Sequence, residues 1–320
     1  MPRVAIVQRA PVFLQREQTL AQAVDAVADA AQAGARLVVF PEALVPGYPA
    51  WIWRLRPGTD LALTERLHAQ LRANAVSLDH DDLAPLREAA RRHELSIVCG
   101  IVERDTQFSR GTLYNSVVVI GPGGDMLNRH RKAMPTNPER MVWGFGDASG
   151  LRAVDTPCGR IGTLICWESY MPLMRYALYA QGIELYIAPT YDEGERWTAS
   201  TQHIARESGC WVIGSGCAFR AGDLVEAVPA AAPLYPDAGE WVNSGDSVIV
   251  APGGKIVAGP LHQQFGLVCA DIDLERVGTA RRSLDVTGHY ARPDLFQLRV
   301  NRQSSRPVEF VDQPAVAEAS

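Results

Sequence analysis

The sequence predicts an α/β protein, and three observations carry that prediction. Short runs rich in β-branched residues alternate with longer stretches whose apolar positions recur at helical spacing. The chain opens on a β-α-β pattern, which favours a sheet with helices packed against its faces. Its composition, 47% hydrophobic and 21% charged over 320 residues, shows no break along the chain, so one large α/β unit accounts for it.

Taken in order, Val4-Ala5-Ile6-Val7 is a strand, and the alanine-rich residues 17–32 form a helix that Gly34 terminates. Arg36-Leu37-Val38-Val39-Phe40 is a buried strand stopped by Pro41. Helical spacing returns over 62–75 and 82–93, followed by strands over 96–102 and 113–120 and a turn at 121–125 that implies a hairpin. A second block begins at 151–155 and continues with a strand over 160–165, a helix over 172–181 and a strand over 184–188. A helix over 198–208 and strands over 210–215, 247–250, 255–258 and 266–271 complete the pattern. Residues 220–245, rich in Ala, Pro and Gly, are expected to be a surface loop, and the polar residues from 303 onward a mobile or docking tail.

Charge and composition exclude several classes of function. The net charge of −5 is spread along the chain without a long basic run, so no nucleic-acid partner is expected. No stretch approaches the ~18 apolar residues that a membrane helix needs. The N-terminus reads directly as a strand rather than as a signal peptide, which predicts a cytoplasmic protein. Six scattered cysteines without a C-x-x-C pair are expected to be free thiols.

Cys166 has the setting most suited to chemistry. It follows the apolar strand Ile161-Gly162-Thr163-Leu164-Ile165 and precedes a helical segment, where backbone N–H groups favour a thiolate and can stabilise a developing anion. The rival reading is a buried core cysteine, and spacing does not decide between them. None of the seven histidines stands out as its base, so carboxylates at strand ends come forward. Glu42, just past the strand ending at Phe40, would lie at the rim of the sheet; otherwise it is a loop or capping residue. Lys132 belongs to the basic cluster 128–132, which reads either as a solvated face or as a lysine aimed inward from the irregular loop that follows. Glu139 closes that loop and reads equally as a helix-start carboxylate. His203 and Glu207 lie four apart on a helix but lack an H-E-x-x-H pattern, so no metal site is expected. The glycine-rich turns lack phosphate-loop patterns, and no cofactor is called for.

Together these segments resemble the carbon–nitrogen hydrolases of the nitrilase superfamily. The resemblance rests on Phe40-Pro41-Glu42, His130-Arg131-Lys132 and Leu164-Ile165-Cys166-Trp167-Glu168, in the family order. It extends to Pro46-Gly47-Tyr48-Pro49, the run from Met134 to Gly144, Ala188-Pro189-Thr190 and Gly288-His289-Tyr290. Trp167-Glu168 after the cysteine is similar to true nitrilases, whereas amidase branches more often carry tyrosine and aspartate there. Ser169 departs from the asparagine common in related nitrilases and is assigned no role.

The resemblance implies a four-layer α-β-β-α sandwich formed by a carbon–nitrogen hydrolase domain over 1–302, with a tail over 303–320. It also implies a homo-oligomer, a dimer at least and in some relatives a larger spiral. The implied activity is hydrolysis of a small organic nitrile to its acid and ammonia, with Cys166 as nucleophile, Glu42 as general base, Lys132 as anion stabiliser and Glu139 as a second glutamate orienting the lysine. Glu168 either reacts or braces the turn. Tyr48, Trp167, Thr190, Tyr191 and Trp197 are candidates for the substrate pocket, with core packing as the rival for Tyr191 and Trp197. Trp51 and Trp53 are candidates for its mouth or for a subunit contact. Cyanide hydrolysis, amidase action and a catalytically silent scaffold are the alternatives.

Overall fold

The computed structural model describes residues 1–304 and Val308. Along the chain lie β1 (Arg3–Gln8), α1 (Arg16–Gln32), β2 (Ala35–Val39), α2 (Leu61–Asn74), α3 (Ala84–His93), β3 (Ser96–Arg104), β4 (Leu113–Ile120) and β5 (Met126–Arg131). They are followed by β6 (Val154–Thr156), β7 (Gly159–Thr163), α4 (Pro172–Tyr179), β8 (Leu185–Thr190), α5 (Gly194–Ser208) and β9 (Trp211–Gly216). Last come β10 (Ala218–Arg220), α6 (Ala221–Ala227), β11 (Trp241–Ala251), β12 (Lys255–His262), β13 (Gly266–Asp271) and α7 (Glu275–Ser283).

The strands form two sheets. One runs β13-β1-β2-β3-β4-β5, and the other β10-β11-β9-β8-β7-β6 with β12 also paired to β11. Strands β1, β2 and β3 are mutually parallel, as are β7, β8 and β9. Alternation along each strand explains how the sheets stack. Val4, Ile6, Leu37, Val39 and Val98 of the first sheet meet Ile161, Leu185, Ile187, Ile213 and Ile249 of the second in one apolar layer. The opposite face of the first sheet, through Ala5, Val38, Ile97 and Cys99, packs on Ala23, Val27, Leu86 and Ala90 of α1 and α3. The outer face of the second, through Tyr186, Ala188 and Val212, packs on α4 and α5. Helix, sheet, sheet and helix therefore make four layers, as the resemblance implies.

Strand direction places the functional ends together. Strand β5 is antiparallel to β4, which is antiparallel to β3, so β5 runs with β2 and β3. The residues just past β2, β5, β7 and β8 thus emerge at C-terminal strand ends, where open α/β sheets carry their sites.

Residues 220–245 correct one expectation. They are not a surface loop: α6 and a 3₁₀ turn over Pro229–Leu234 occupy them, and β11 begins at Trp241. Leu224, Val228, Ala231 and Tyr235 are buried in a cluster with Phe13, Trp51, Leu67 and Leu71. Alanine and proline there serve close packing rather than exposure. The tail expected over 303–320 lies outside the described residues except for Gln303, Ser304 and Val308. Among the described residues, no helix is long and apolar enough to cross a membrane.

Candidate active site

Glu42 reaches its place because β2 ends against proline and the chain turns over β3. Phe40 N still bonds Val98 O, Ala43 adopts a left-handed φ of +48°, and the segment lies directly on Gly100. A Cβ at Gly100 would come within 2.6 Å of Ala43 N and 2.7 Å of Glu42 Cα, so only glycine admits this approach. Lys132 extends the β5 ladder by one bond, its N–H donating to Asn115 O at 2.7 Å. Period-two alternation then sends His130 and Lys132 inward, while Arg129 and Arg131 turn to Glu103. The basic cluster is therefore split between two faces, and Lys132 is buried rather than solvated.

Lys132 Nζ donates at 2.8 Å to Glu42 Oε1 and at 2.8 Å to Glu139 Oε2. Glu42 also accepts from Asn115 Nδ2 at 2.6 Å and, through Oε2, from Tyr191 N at 2.6 Å. Glu139 is held by Thr136 N at 2.7 Å and by the Tyr48 hydroxyl at 2.7 Å. Three ionisable side chains thus share a site with almost no solvent exposure, every bond in it charge-assisted. Burial pushes the Glu42 carboxyl up, with Lys132 pulling it down and Glu139 adding to the rise. Burial works against the Lys132 cation, but the Glu42 and Glu139 carboxylates outweigh it and hold the lysine charged.

Cys166 opens a 3₁₀ turn, Cys166–Tyr170, directly after β7 and adopts φ +52°, an uncommon backbone state for a residue with a Cβ. One sequence expectation fails here. Burial, then the negative charge of Glu42, raises the Cys166 thiol above its ordinary value, and Lys132 and Thr190 only partly offset this. The short turn does not make the resting group a thiolate; the site holds it as a thiol.

The cavity above Cys166 has a volume of about 210 Å³ and is lined by Tyr48, Trp53, Glu139, Trp167, Tyr191 and Asp192 among others. The Tyr48 and Tyr191 rings stack with centroids 3.8 Å apart, and Trp53 lies parallel to Tyr191 at 6.4 Å. Trp53 Nε1 donates to the Tyr48 hydroxyl at 3.0 Å, fixing one wall. Asp192 Oδ2 fixes the other, accepting from Trp167 Nε1 and the Tyr170 hydroxyl, both at 2.9 Å. Thr190, expected to line the pocket, is fully buried and does not line the cavity; its Oγ1 accepts from Asp192 N at 2.8 Å, and its side chain also hydrogen-bonds the Cys166 thiol.

Trp197 is corrected. It is wholly buried between α5 and the second sheet with Leu178, Tyr186 and Val248, and it meets Tyr170 edge-on from behind. It packs the core and does not line the cavity. Trp51 is likewise buried, with Phe13 and Leu67, whereas Trp53 is 44% exposed at the mouth. Asn115, Asp192 and Asn243, which lines the cavity and donates to Tyr191 O, escaped the sequence reading, and His130 entered it within a motif but without a role. Asn115 and His130 were detectable in principle as polar residues on the inward phase of a strand. Asp192 and Asn243 carried no comparable signal.

Residues 3–282 match the carbon–nitrogen hydrolase family. The chain belongs to it. This carbon–nitrogen hydrolase is 39% identical to Nitrilase 3 of Arabidopsis thaliana over 99% of its own length and 91% of that protein's. It is also 39% identical to an aliphatic nitrilase of Sinorhizobium fredii (strain HH103), covering 96% and 97% of the two chains. A bifunctional nitrilase/nitrile hydratase of Nicotiana tabacum matches at 39% over 99% and 91%. Among solved structures, a carbon–nitrogen hydrolase from Helicobacter pylori G27 superposes with a TM-score of 0.70 at 20% identity, covering 92% of this chain and 96% of that one. That likeness extends to the fold.

Proposed function

We propose that this carbon–nitrogen hydrolase is a nitrilase that converts small organic nitriles to carboxylic acids and ammonia, with Cys166 as nucleophile. The observation that carries the proposal is the closed Glu42–Lys132–Glu139 hydrogen-bonded set whose charges act on the buried Cys166 thiol, at one end of an aromatic-walled cavity. Full-length relatives named nitrilase support the choice of nitrile over amide.

Each role follows from the local chemistry. Cys166 Sγ adds to the nitrile carbon as its proton passes to Glu42, whose burial makes it more basic than an ordinary carboxylate. One π pair of the nitrile moves to nitrogen, where the Lys132 ammonium stabilises the developing anion. Proton return gives a neutral thioimidate. Glu42 next deprotonates a water that attacks the same carbon. Breaking the C–N bond then expels nitrogen as ammonia and leaves a thioester, which a second water hydrolyses to the acid. Glu139 contacts Lys132 and Tyr48 and gives the lysine a second carboxylate partner beside Glu42. Tyr48, Trp167 and Tyr191 shape the space for the nitrile's organic group. The aromatic walls and modest volume suit small aryl, arylalkyl and aliphatic nitriles. The six unpaired cysteines agree with a reducing cytoplasm, and we place the protein there as a homo-oligomer, a dimer or larger.

The test is a panel of an aliphatic dinitrile, benzonitrile, phenylacetonitrile, mandelonitrile, cyanide and a matching amide, with ammonia, acid and amide quantified. We expect acid and ammonia from organic nitriles and none from Cys166→Ala. Turnover confined to cyanide or to the amide would replace the proposal with that activity, and no turnover by folded protein would favour a scaffold.

A further inference from the structure

The buried pair Glu168–His130 takes no part in the chemistry above, yet it joins its two halves. Glu168 and His130 are both essentially unexposed. Glu168 Oε1 accepts from Ala133 N, the residue after Lys132, at 2.7 Å, and Oε2 accepts from Ile165 N, the residue before Cys166, at 2.8 Å. His130 Nε2 lies 3.1 and 2.9 Å from the same two oxygens. One carboxylate therefore pins the exit of β5 to the exit of β7, and these strands belong to different sheets. Burial raises its affinity for a proton, but His130 and the two backbone N–H groups more than cancel that and keep it ionised. Ionisation fixes the roles: both oxygens accept, and His130 donates from Nε2.

We propose that Glu168, buttressed by His130, is a positioning residue that sets where Lys132 Nζ sits relative to Cys166 Sγ, and thereby which bond of the tetrahedral intermediate breaks. The inference rests on the nitrilase reading. After water adds to the thioimidate, one carbon bears sulfur, oxygen and nitrogen. If the C–N bond breaks, its electron pair leaves on nitrogen, which departs as ammonia after protonation, and oxygen's lone pair closes the thioester carbonyl. If the C–S bond breaks, its pair leaves as the Cys166 thiolate, which takes up a proton, and the product is the amide. An ammonium drawn toward sulfur favours the second route. One held by Glu42 and Glu139 at the nitrogen side favours the first. The separation of Lys132 and Cys166 decides between them, and across the two sheets Glu168 ties the residues next in chain to both.

The test uses three full-length variants. Glu168→Gln keeps the shape but places an NH₂ group against a backbone N–H, so at least one of the two ties is lost. His130→Leu removes the buttress, and His130→Gln restores a donor at similar reach. For Glu168→Gln and His130→Leu we expect kcat lower by roughly 10–100-fold, the scale of an ångström-sized misplacement. KM should stay within about threefold, because the cavity walls are untouched, and the amide share of product should rise. His130→Gln should recover most of both. Alkylation of Cys166 by iodoacetamide, read by mass spectrometry, should change in rate for the two disruptive variants, giving a measure independent of nitrile turnover.

Folded Glu168→Gln or His130→Leu protein with wild-type kcat, product ratio and alkylation rate would overturn the inference. If Glu168→Gln does not fold, the His130 variants decide: wild-type behaviour of His130→Leu overturns it, and loss that His130→Gln reverses supports it. Wild-type protein inactive on every nitrile would instead sink the nitrilase reading, and the alkylation rates would still judge the tie between strands.

Discussion

The thiol of Cys166 is subject to two opposed charges in a buried site where solvent screens them little. Burial and Glu42 keep its proton on, and Lys132 works to remove it. In the proposed mechanism Glu42 is thus both the group that suppresses the thiolate and the group that takes the proton at the moment of attack. This duality gives a prediction whose sign can be worked out. A neutral amide at position 42 removes the repulsion and leaves the Lys132 charge less compensated, so the Cys166 pKa falls. In Glu42→Gln the pH profile of Cys166 alkylation should therefore move to lower pH, while that of the wild type keeps rising through pH 9 without a plateau. Nitrile hydrolysis by the same variant should fall by about 10²–10⁴-fold, since it needs the proton carried and not merely lost. An alkylation profile that moves to higher pH would show that losing Glu42 displaces or discharges Lys132, and that the carboxylate is not what suppresses the thiolate.

At the level of elements, the site depends on a backbone crossing. The Glu42 turn rests on β3 at Gly100, with no space for a Cβ between them. Gly100→Ala should lift that turn, costing about 1–3 kcal/mol of stability as an overpacked core position does and displacing the Glu42 carboxylate from Lys132. Calorimetry and kcat should register both effects together; an alanine tolerated with normal Tm and kcat would mean that the crossing is looser than described. The strands forming this framework were legible because those buried on both faces read as continuous apolar runs, as Val4–Val7 and Leu37–Phe40 do. Residues 220–245 were not legible, because alanine and proline report local conformational preference while burial there comes from partners far away in sequence, such as Phe13 and Leu67. Trp197 misled for the same reason: an aromatic near a strand end serves a pocket or a core equally well until the packing of α5 is known. His130 was hidden in a basic cluster whose alternation was visible but whose strand, β5, was only implied by a hairpin turn.

Across the whole molecule, the site is assembled from two sheets, and what aligns them is local to the rim. The first sheet supplies Glu42 and Lys132, and the second supplies Cys166 and the Tyr191 N–H that binds Glu42. Polar ties cross the same interface elsewhere: Gln8, fully buried at the end of β1, accepts from Ser247 N at 2.9 Å and donates to Leu261 O at 2.7 Å. Between these ties the layer is mostly apolar, and it resists separation without specifying angstrom-scale position. A cavity cut into that layer should therefore weaken the fold more than the chemistry. Ile6→Ala, at a fully buried inward position of β1, should cost about 2–5 kcal/mol. For a chain of this size each kcal/mol should lower Tm by roughly 1–2 °C. Well below that Tm, kcat should stay within about threefold of wild type, because the Glu42–Tyr191 and Glu168 bonds hold the rim in register independently of the lost methyl groups. If activity instead fell in proportion to stability, the inter-sheet packing itself would be setting the distance between nucleophile and base, and the rim hydrogen bonds would be its consequence rather than its cause.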